Sequence, residues 1–577
     1  MRRFTTSTAV GGLVGLVAGI VILGPALLPG LTLNYDLVFV PDLGFGERTL
    51  GIDGAVPRAV PNDLVVAALS TVLPGWLVQK ILLLMVFVAA GAGAGALLPG
   101  RRAAVAGALV ACWNPWVAER LAIGHWGYLL GYAALFWVIR TAGRARRGEG
   151  GAGALGIVMA LAGLSGSTGA VLAVVTATAV LLAGSRWPRA WRAWGWAMVV
   201  SVLVAASWWF PYLRSEASSA ADSAGVDAFA ARADTPWGMI GSVLTGGGIW
   251  NQASWFAERQ NLVLSGVALL GVLVACVAAW SDARVRSRPE YLGAAVAGVL
   301  GLVAAILAGL PGGRELVSFL VLQVPGGGLV RDGQKFAALW MVAVSLAVGL
   351  SVARLGAAAA RRHVGRALTG AIAVACGLVA VVTLPGIALG ANGRWGSVDL
   401  PVDFTFVAER LEDAEPGAVA VLPWTQYRRY DWNDDRVVLD PWQRLLSRDV
   451  RVNDALPLKD TWVAGEDPRA AEVTRALGAP DGDVLAALRA AGVRHVLLQT
   501  DQPGPTLNQL QLAGADLRVR TENLEWWDLG DEGLAEVPGA TAADHAGLVL
   551  GGMGLVLAVA GAVVGLVRRR RAQPTHR

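Results

Sequence analysis

The stretch Ala9-Val-Gly-Gly-Leu-Val-Gly-Leu-Val-Ala-Gly-Ile-Val-Ile-Leu-Gly-Pro-Ala-Leu-Leu-Pro29 contains no charged residue. Beyond it comes Asn34-Tyr-Asp36-Leu-Val-Phe-Val-Pro-Asp42-Leu-Gly-Phe-Gly-Glu47-Arg48. An apolar run of about 20 residues spans a bilayer as a helix, so a membrane crossing at 9–29 is followed directly by an acidic loop. Comparable runs recur near 77–98, 103–117, 127–140, 152–165, 167–184, 193–213, 261–280, 291–310, 336–353, 367–389 and 546–567. The sequence therefore predicts an α-helical polytopic membrane protein with about 12 transmembrane helices. Composition agrees. The 577 residues are 16% charged, against roughly 25% in soluble proteins, and the mean hydropathy is +0.53.

Arginine fixes the expected orientation. The clusters Arg2/Arg3, Arg101/Arg102, Arg144/Arg146/Arg147, Arg186/Arg189/Arg192, Arg284/Arg286/Arg288, Arg361/Arg362/Arg366 and Arg568 to Arg571 fall on one side when the chain crosses twelve times. The positive-inside rule makes that side, with both termini, cytoplasmic. The first apolar run lacks a small-residue cleavage site and reads as a retained helix. The net charge of +5 is explained by these clusters, and no nucleic-acid partner is expected. Cys112, Cys276 and Cys376 all lie in apolar segments, with no disulfide framework or metal spacing.

The predicted organisation has three parts: a multi-helix transmembrane region over 1–390, an extracytoplasmic α/β domain over 391–545, and a final helix with a basic cytoplasmic tail over 546–577. Within the second part, 418–422 and 495–499 read as buried strands and 484–491 as a helix. Trp424, Trp432, Trp442, Trp462, Trp526 and Trp527 read mainly as its core, with stacking on sugar rings as the other use of such faces.

Glycine-rich stretches are not nucleotide sites here. Gly91-Ala-Gly-Ala-Gly95 lies inside a helix, where small residues permit close helix approach. Gly44-Phe-Gly46 and Gly246-Gly-Gly248 do not join a strand to a helix, and no P-loop is present. No nucleotide cofactor is expected.

Three boundary segments concentrate ionisable groups. Asp36, among apolar residues, is expected to have its pKa raised by desolvation and to serve as a base, or else to cap a helix or pair with an arginine. Asp42 is a second candidate base, or a turn residue. The turn Trp113-Asn-Pro-Trp116-Val-Ala-Glu119-Arg120-Leu-Ala-Ile-Gly-His125-Trp126-Gly-Tyr128 puts Glu119, Arg120 and His125 between two hydrophobic helices. Charges at such depth are costly unless used or paired, and a Glu119–Arg120 pair is one outcome. The third segment, Gly326-Gly-Gly-Leu-Val-Arg331-Asp332-Gly-Gln334-Lys335-Phe336, carries cations that oppose the positive-inside bias. Arg331 and Lys335 suit a lipid phosphate, or pairing with nearby carboxylates.

On these segments and the helices-then-domain layout, the chain resembles the GT-C superfamily of polytopic membrane glycosyltransferases. More narrowly, it is similar to YfhO-like proteins and actinobacterial arabinofuranosyl- or mannosyltransferase-like proteins. The resemblance implies Asp36 first and Asp42 second as catalytic residues, with Arg331, Lys335, Arg120 and His125 around the donor phosphate. It implies sugar transfer from a polyprenyl-phosphate donor to an envelope glycan, glycolipid or protein at the outer face of a bacterial plasma membrane. The adjacent acidic pair usual in the superfamily is absent, which leaves a divalent cation open. Two other functions fit the layout: a transporter or flippase of lipid-linked sugars, and a non-catalytic envelope-assembly protein. The apolar mid-helix segments favour the enzyme over the transporter.

Overall fold

A computed structural model describes residues 2–183, 187–214, 224–324, 326–362, 365–457, 462–463, 465, 467–479, 483–507, 512, 514–536 and 540–572. Arg186, residues 215–223, the end of the basic tail and parts of the predicted 391–545 segment lie outside the described residues.

The chain is a multi-pass membrane protein whose helices bear a mixed sheet at one end. A helix occupies each predicted stretch. Seven are long and apolar enough to cross a bilayer: Thr6–Leu27, Gly75–Leu97, Pro188–Leu213, Leu262–Trp280, Pro289–Leu307, Gly333–Arg361 and Ala542–Val567. An eighth is possible if the pair Gly370–Thr383 and Pro385–Gly393, bent by 72°, is one span. Arg101–Cys112, Trp126–Arg147, Ala152–Leu164 and Ser167–Leu182 do not meet that standard, so length does not establish twelve crossings. Residues of Trp126–Arg147 are mostly buried among other helices. A helix shielded from lipid needs fewer apolar residues than one facing it.

Two predicted helices break where proline requires it. The 367–389 run stops at Thr383, before Pro385. The 103–117 run stops at Cys112, and a short helix Pro115–Ala122 begins with Pro115 in its first turn. Asn114 caps that helix, its side-chain oxygen accepting from Val117 N at 3.0 Å. This is a standard arrangement of capping residue and N-terminal proline. The Asn-Pro pair thereby creates the platform that carries Glu119 and Arg120.

The glycines of 91–95 do pack helices. A side chain at Gly11 or Gly15 would run into the backbone of Gly91 or Phe87, and one at Gly95 into Ser7. Helix Arg2–Leu23 therefore lies tightly along Gly75–Leu97. The last helix, Ala542–Ala572, returns to pack on Trp187–Arg214 and Ala152–Leu164.

The sheet region contains β1 (Ala418–Leu422), β2 (Tyr427–Arg429), β3 (Val437–Leu439), β4 (Val450–Arg451), β5 (Leu456–Pro457), β6 (Trp462–Val463), β7 (Val493–Gln499), β8 (Asp516–Arg520) and β9 (Leu524–Asp528). The main sheet runs β4-β1-β7-β9-β8. β1 is parallel to β4 and β7, and β9 is antiparallel to β7 and β8. β2 and β3 form a separate antiparallel hairpin. Both predicted strands and the helix, seen as Val484–Ala490, are present. All five β1 residues are buried because both faces are covered. Val419 and Val421 face a core with Phe404, Tyr430 and Trp442 that continues into the helix bundle. Ala418, Ala420 and Leu422 face a second core with Val473 and Leu488. Trp424, Trp442 and Trp526 are buried, and Phe404 stacks on Trp442 at 5.1 Å. The side chain of Trp462 lies outside the described residues.

Candidate active site

Asp36 is held by three separate parts of the chain. Its backbone N–H donates to Ile123 O at 3.2 Å, and Tyr35 N–H donates to Val437 O at 2.6 Å. Tyr35 itself has φ 46°, the left-handed region that a non-glycine residue occupies only under constraint. The bond to Val437 O, and the return bond from Leu439 N to Tyr35 O at 2.9 Å, supply that constraint. Gly124 permits the close approach, since a side chain there would strike Leu37 N.

The Asp36 carboxylate accepts from Tyr427 OH at 2.8 Å through Oδ1 and contacts His125 Nε2 at 3.1 Å through Oδ2. His125 Nδ1 lies 3.1 Å from Arg120 Nη1. A guanidinium can only donate. The Nδ1 atom therefore accepts, the ring proton sits on Nε2, and Nε2 donates to Asp36. Arg120 is itself fixed by Asp332, through Nη1 to Oδ2 at 2.6 Å and Nη2 to Oδ1 at 3.0 Å. Its Nε also donates to Gln334 Oε1 at 3.1 Å. The chain of contacts thus runs Asp332–Arg120–His125–Asp36–Tyr427.

This network reverses the expected titration of Asp36. Burial would raise its pKa, but the bonds from His125 and Tyr427, with the positive field of Arg444, hold it below the ordinary 3.8. Asp36 is therefore ionised at neutral pH. Burial and the Asp36 charge push the Tyr427 phenol well above 10, so it remains the donor. Burial also works against Asp332, but Arg120 holds its carboxyl below the usual range.

Asp36, His125, Tyr427, Arg331, Asp332 and Lys335 line one cavity of about 750 Å³ between the helix bundle and the sheet. Three segments distant in sequence therefore converge on it. Lys335 is 6% exposed, and no hydrogen-bond acceptor for its Nζ occurs among the described residues. The Arg331 guanidinium lies 4.9 Å from the Phe229 ring centre. Trp208, Tyr212 and Trp250 extend this aromatic wall. The opposite wall is made of paired charges. Arg444 bonds Asp63 at 3.0 and 3.3 Å, Arg451 pairs with Asp449, and Arg58 lies 3.7 Å from Asp454. Burial raises the Asp449 carboxyl to about 6, although Arg451 opposes the shift.

Two candidates sit elsewhere. Asp42 is exposed and does not line the cavity. Arg120 is fully buried behind His125 and does not line it either. Its hydrogen bonds to Asp332 and Gln334 leave it as a support and not as a phosphate ligand. Glu119 does not pair with Arg120. It joins Asp234 and Arg259 instead, with Glu119 Oε2 accepting from Ile249 N at 3.0 Å. Burial and the Asp234 charge hold Glu119 well above the carboxylate range, so it carries a proton.

Sequence reading missed Tyr427. It lies 391 residues from Asp36, with no local signal to separate it from the other aromatics of its region. No group of three or more His, Cys, Asp or Glu side chains able to hold a metal ion occurs among the described residues. Asp332, another carboxylate that lines the cavity, is taken by Arg120.

No family model and no curated protein matches the chain. Among solved structures, it is similar to the arabinofuranosyltransferase AftD from Mycobacteria, seen by cryo-electron microscopy. The TM-score is 0.55 at 15% identity, over 91% of this chain and 40% of that one. A mutant of AftD matches with a TM-score of 0.55 at 16% identity, over 91% and 41%. The chain thus spans about two-fifths of the length of these structures. The helix bundle with its terminal sheet shares the fold of the matching part of these structures.

Proposed function

We propose that the chain is a membrane glycosyltransferase. It moves a sugar from a polyprenyl-phosphate donor to an envelope glycan, glycolipid or protein at the outer face of a bacterial plasma membrane. The sheet region over 391–545 lies outside, both termini lie inside, and the cavity opens at the outer boundary. The observation that carries this reading is the cavity itself, where an ionised, doubly hydrogen-bonded Asp36 shares one space with Arg331 and the buried Lys335.

The chemistry follows from those groups. Asp36 takes the proton of an acceptor hydroxyl as that oxygen bonds to the anomeric carbon of the donor. The bond from the anomeric carbon to the phosphate oxygen breaks, and its electron pair leaves with polyprenyl phosphate. Lys335 and Arg331 stabilise the charge that develops on the phosphate. His125, oriented by Arg120, keeps the carboxylate aimed. The aromatic wall of Trp208, Tyr212 and Phe229 suits the first prenyl units.

The test is replacement of Asp36 by Asn in the native host, with the envelope glycan analysed by linkage. The expected result is loss of one sugar linkage with the protein still present in the membrane. A normal glycan from the Asp36→Asn, Asp42→Asn double variant contradicts the reading.

A further inference from the structure

Asp36 is tethered on two sides of different origin. His125 belongs to the helix bundle and grips Oδ2. Tyr427 belongs to β2, in a hairpin of the sheet region, and grips Oδ1. The seam between the two regions is dense around this contact. The Tyr35 backbone pairs with Val437 and Leu439 of β3, in a parallel bridge to Val438. Asn433 Nδ2 donates to Leu33 O at 3.3 Å, and Arg444 bonds Asp63. Gly46 of the first loop lies against the Ser447 backbone so closely that no side chain fits. The rings of Tyr35 and Tyr427 meet edge-on at 6.5 Å.

We propose that Tyr427 is a positioning residue for Asp36, delivered by the β2–β3 hairpin so that the carboxylate is correctly held only when the sheet region is seated on the first loop. The inference concerns the Asp36 of the proposed transferase site and rests on that reading for its functional meaning. The sheet region is then part of the active site and not only its roof. A phenol donating to one carboxylate oxygen stabilises the ionised form and fixes which lone pairs face the cavity. Without it, Oδ1 loses a donor, the carboxylate becomes easier to protonate, and its χ2 torsion is free to turn.

The charged and titratable groups around Asp36 come from every neighbouring element. They are His125 and Tyr128 beside it on the bundle, Tyr427 and Arg444 from the sheet region, and Tyr35 next in the chain. Arg120 and Asp332 stand behind His125, and Arg331 and Lys335 lie across the cavity. Of these, only His125 and Tyr427 hydrogen-bond the carboxylate itself among the described residues.

The experiment is site-resolved labelling of the full-length chain in lipid nanodiscs with dicyclohexylcarbodiimide, which reacts with protonated carboxyls. Mass spectrometry reads Asp36, with Asp449 of the same cavity as an internal control. At about pH 6, Tyr427→Phe should label Asp36 roughly tenfold faster, the change expected for a pKa raised by one unit. Asp449 should be unchanged. Gly46→Ala, which drives the first loop off the Ser447 backbone with Tyr427 intact, should also speed Asp36 labelling. The inference is overturned if Asp36 labelling is unchanged in either variant, or if Asp36 and Asp449 rise together in Tyr427→Phe. Labelling needs no sugar donor. A failed inference is therefore distinct from a failed transferase reading, which the Asp36→Asn glycan analysis decides.

Discussion

Glu119 and Arg120 are neighbours on one short helix, yet they head two unlike networks. Glu119 closes on Asp234 and Arg259, and all three side chains are almost fully buried. Arg120 leads through His125 to Asp36, which remains 38% exposed on the cavity. The first network is sealed: Arg259 balances the ionised Asp234, and Glu119 carries its own proton. It ties the 234–259 segment to the bundle and has no open end at which a ligand could act. The second has a buried cation at one end and an accessible carboxylate at the other. Burial alone does not mark a functional charge; what matters is whether the network reaches a space that a substrate can enter.

That contrast can be broken in several ways. The largest effect is expected at the open end. Asp36→Asn should lower transfer by about 10²–10⁴ in rate, with the protein still present in the membrane. A variant with normal transfer would make the open network as structural as the sealed one. Arg259→Met should do the opposite. It leaves the buried, ionised Asp234 without its cation, at a cost of about 3–5 kcal/mol, so the loss should appear in thermal stability and membrane accumulation. An unchanged melting temperature would refute the sealed-network account.

A smaller effect is expected across the cavity. Lys335→Ala removes the cavity's buried ammonium and should weaken binding of decaprenyl phosphate by roughly tenfold to a hundredfold, the value of a hydrogen bond to a charged group. Binding in detergent by native mass spectrometry would measure it. The smallest effect is expected at Asp42. Exposed and remote from the cavity, it should tolerate Asn with no change in transfer, and any loss comparable to that at Asp36 would return it to the site.

The pH dependence has a definite sign. The Asp36 pKa is depressed, so its contribution to seating the sheet region is present above 3.8 and is lost only as pH falls through the still lower folded value. Protection of the β2–β3 hairpin against hydrogen exchange, taken relative to the intrinsic rate at each pH, should accordingly be constant from neutral pH down to about pH 5. A loss of protection beginning near neutrality would show that Asp36 is not held as described.

Much of this architecture was legible because it rests on local chemistry. Apolar runs marked the helices, and β1 and β7 stood out as short buried strands. Charges that made no sense against lipid marked Asp36, His125, Arg331 and Lys335. What was hidden depended on pairing at a distance. Nothing near Glu119 announces Arg259, and nothing near Arg120 announces that Asp332 will claim both its nitrogens. The pKa of Asp36 was misjudged for the same reason. Desolvation can be read from neighbours in sequence, whereas Tyr427 arrives from a different region of the chain. Asn114-Pro115 was the local signal most open to better use, since it dictates a new helix start.

The most direct measurement is the structure of the full-length chain in nanodiscs with decaprenyl phosphate, the bare leaving group of the proposed donor. The account predicts phosphate density within hydrogen-bond reach of Lys335, in the cavity that Asp36 lines, with the prenyl chain along Trp208, Tyr212 and Phe229. Phosphate density outside that cavity, or an empty cavity at saturating lipid, would contradict it.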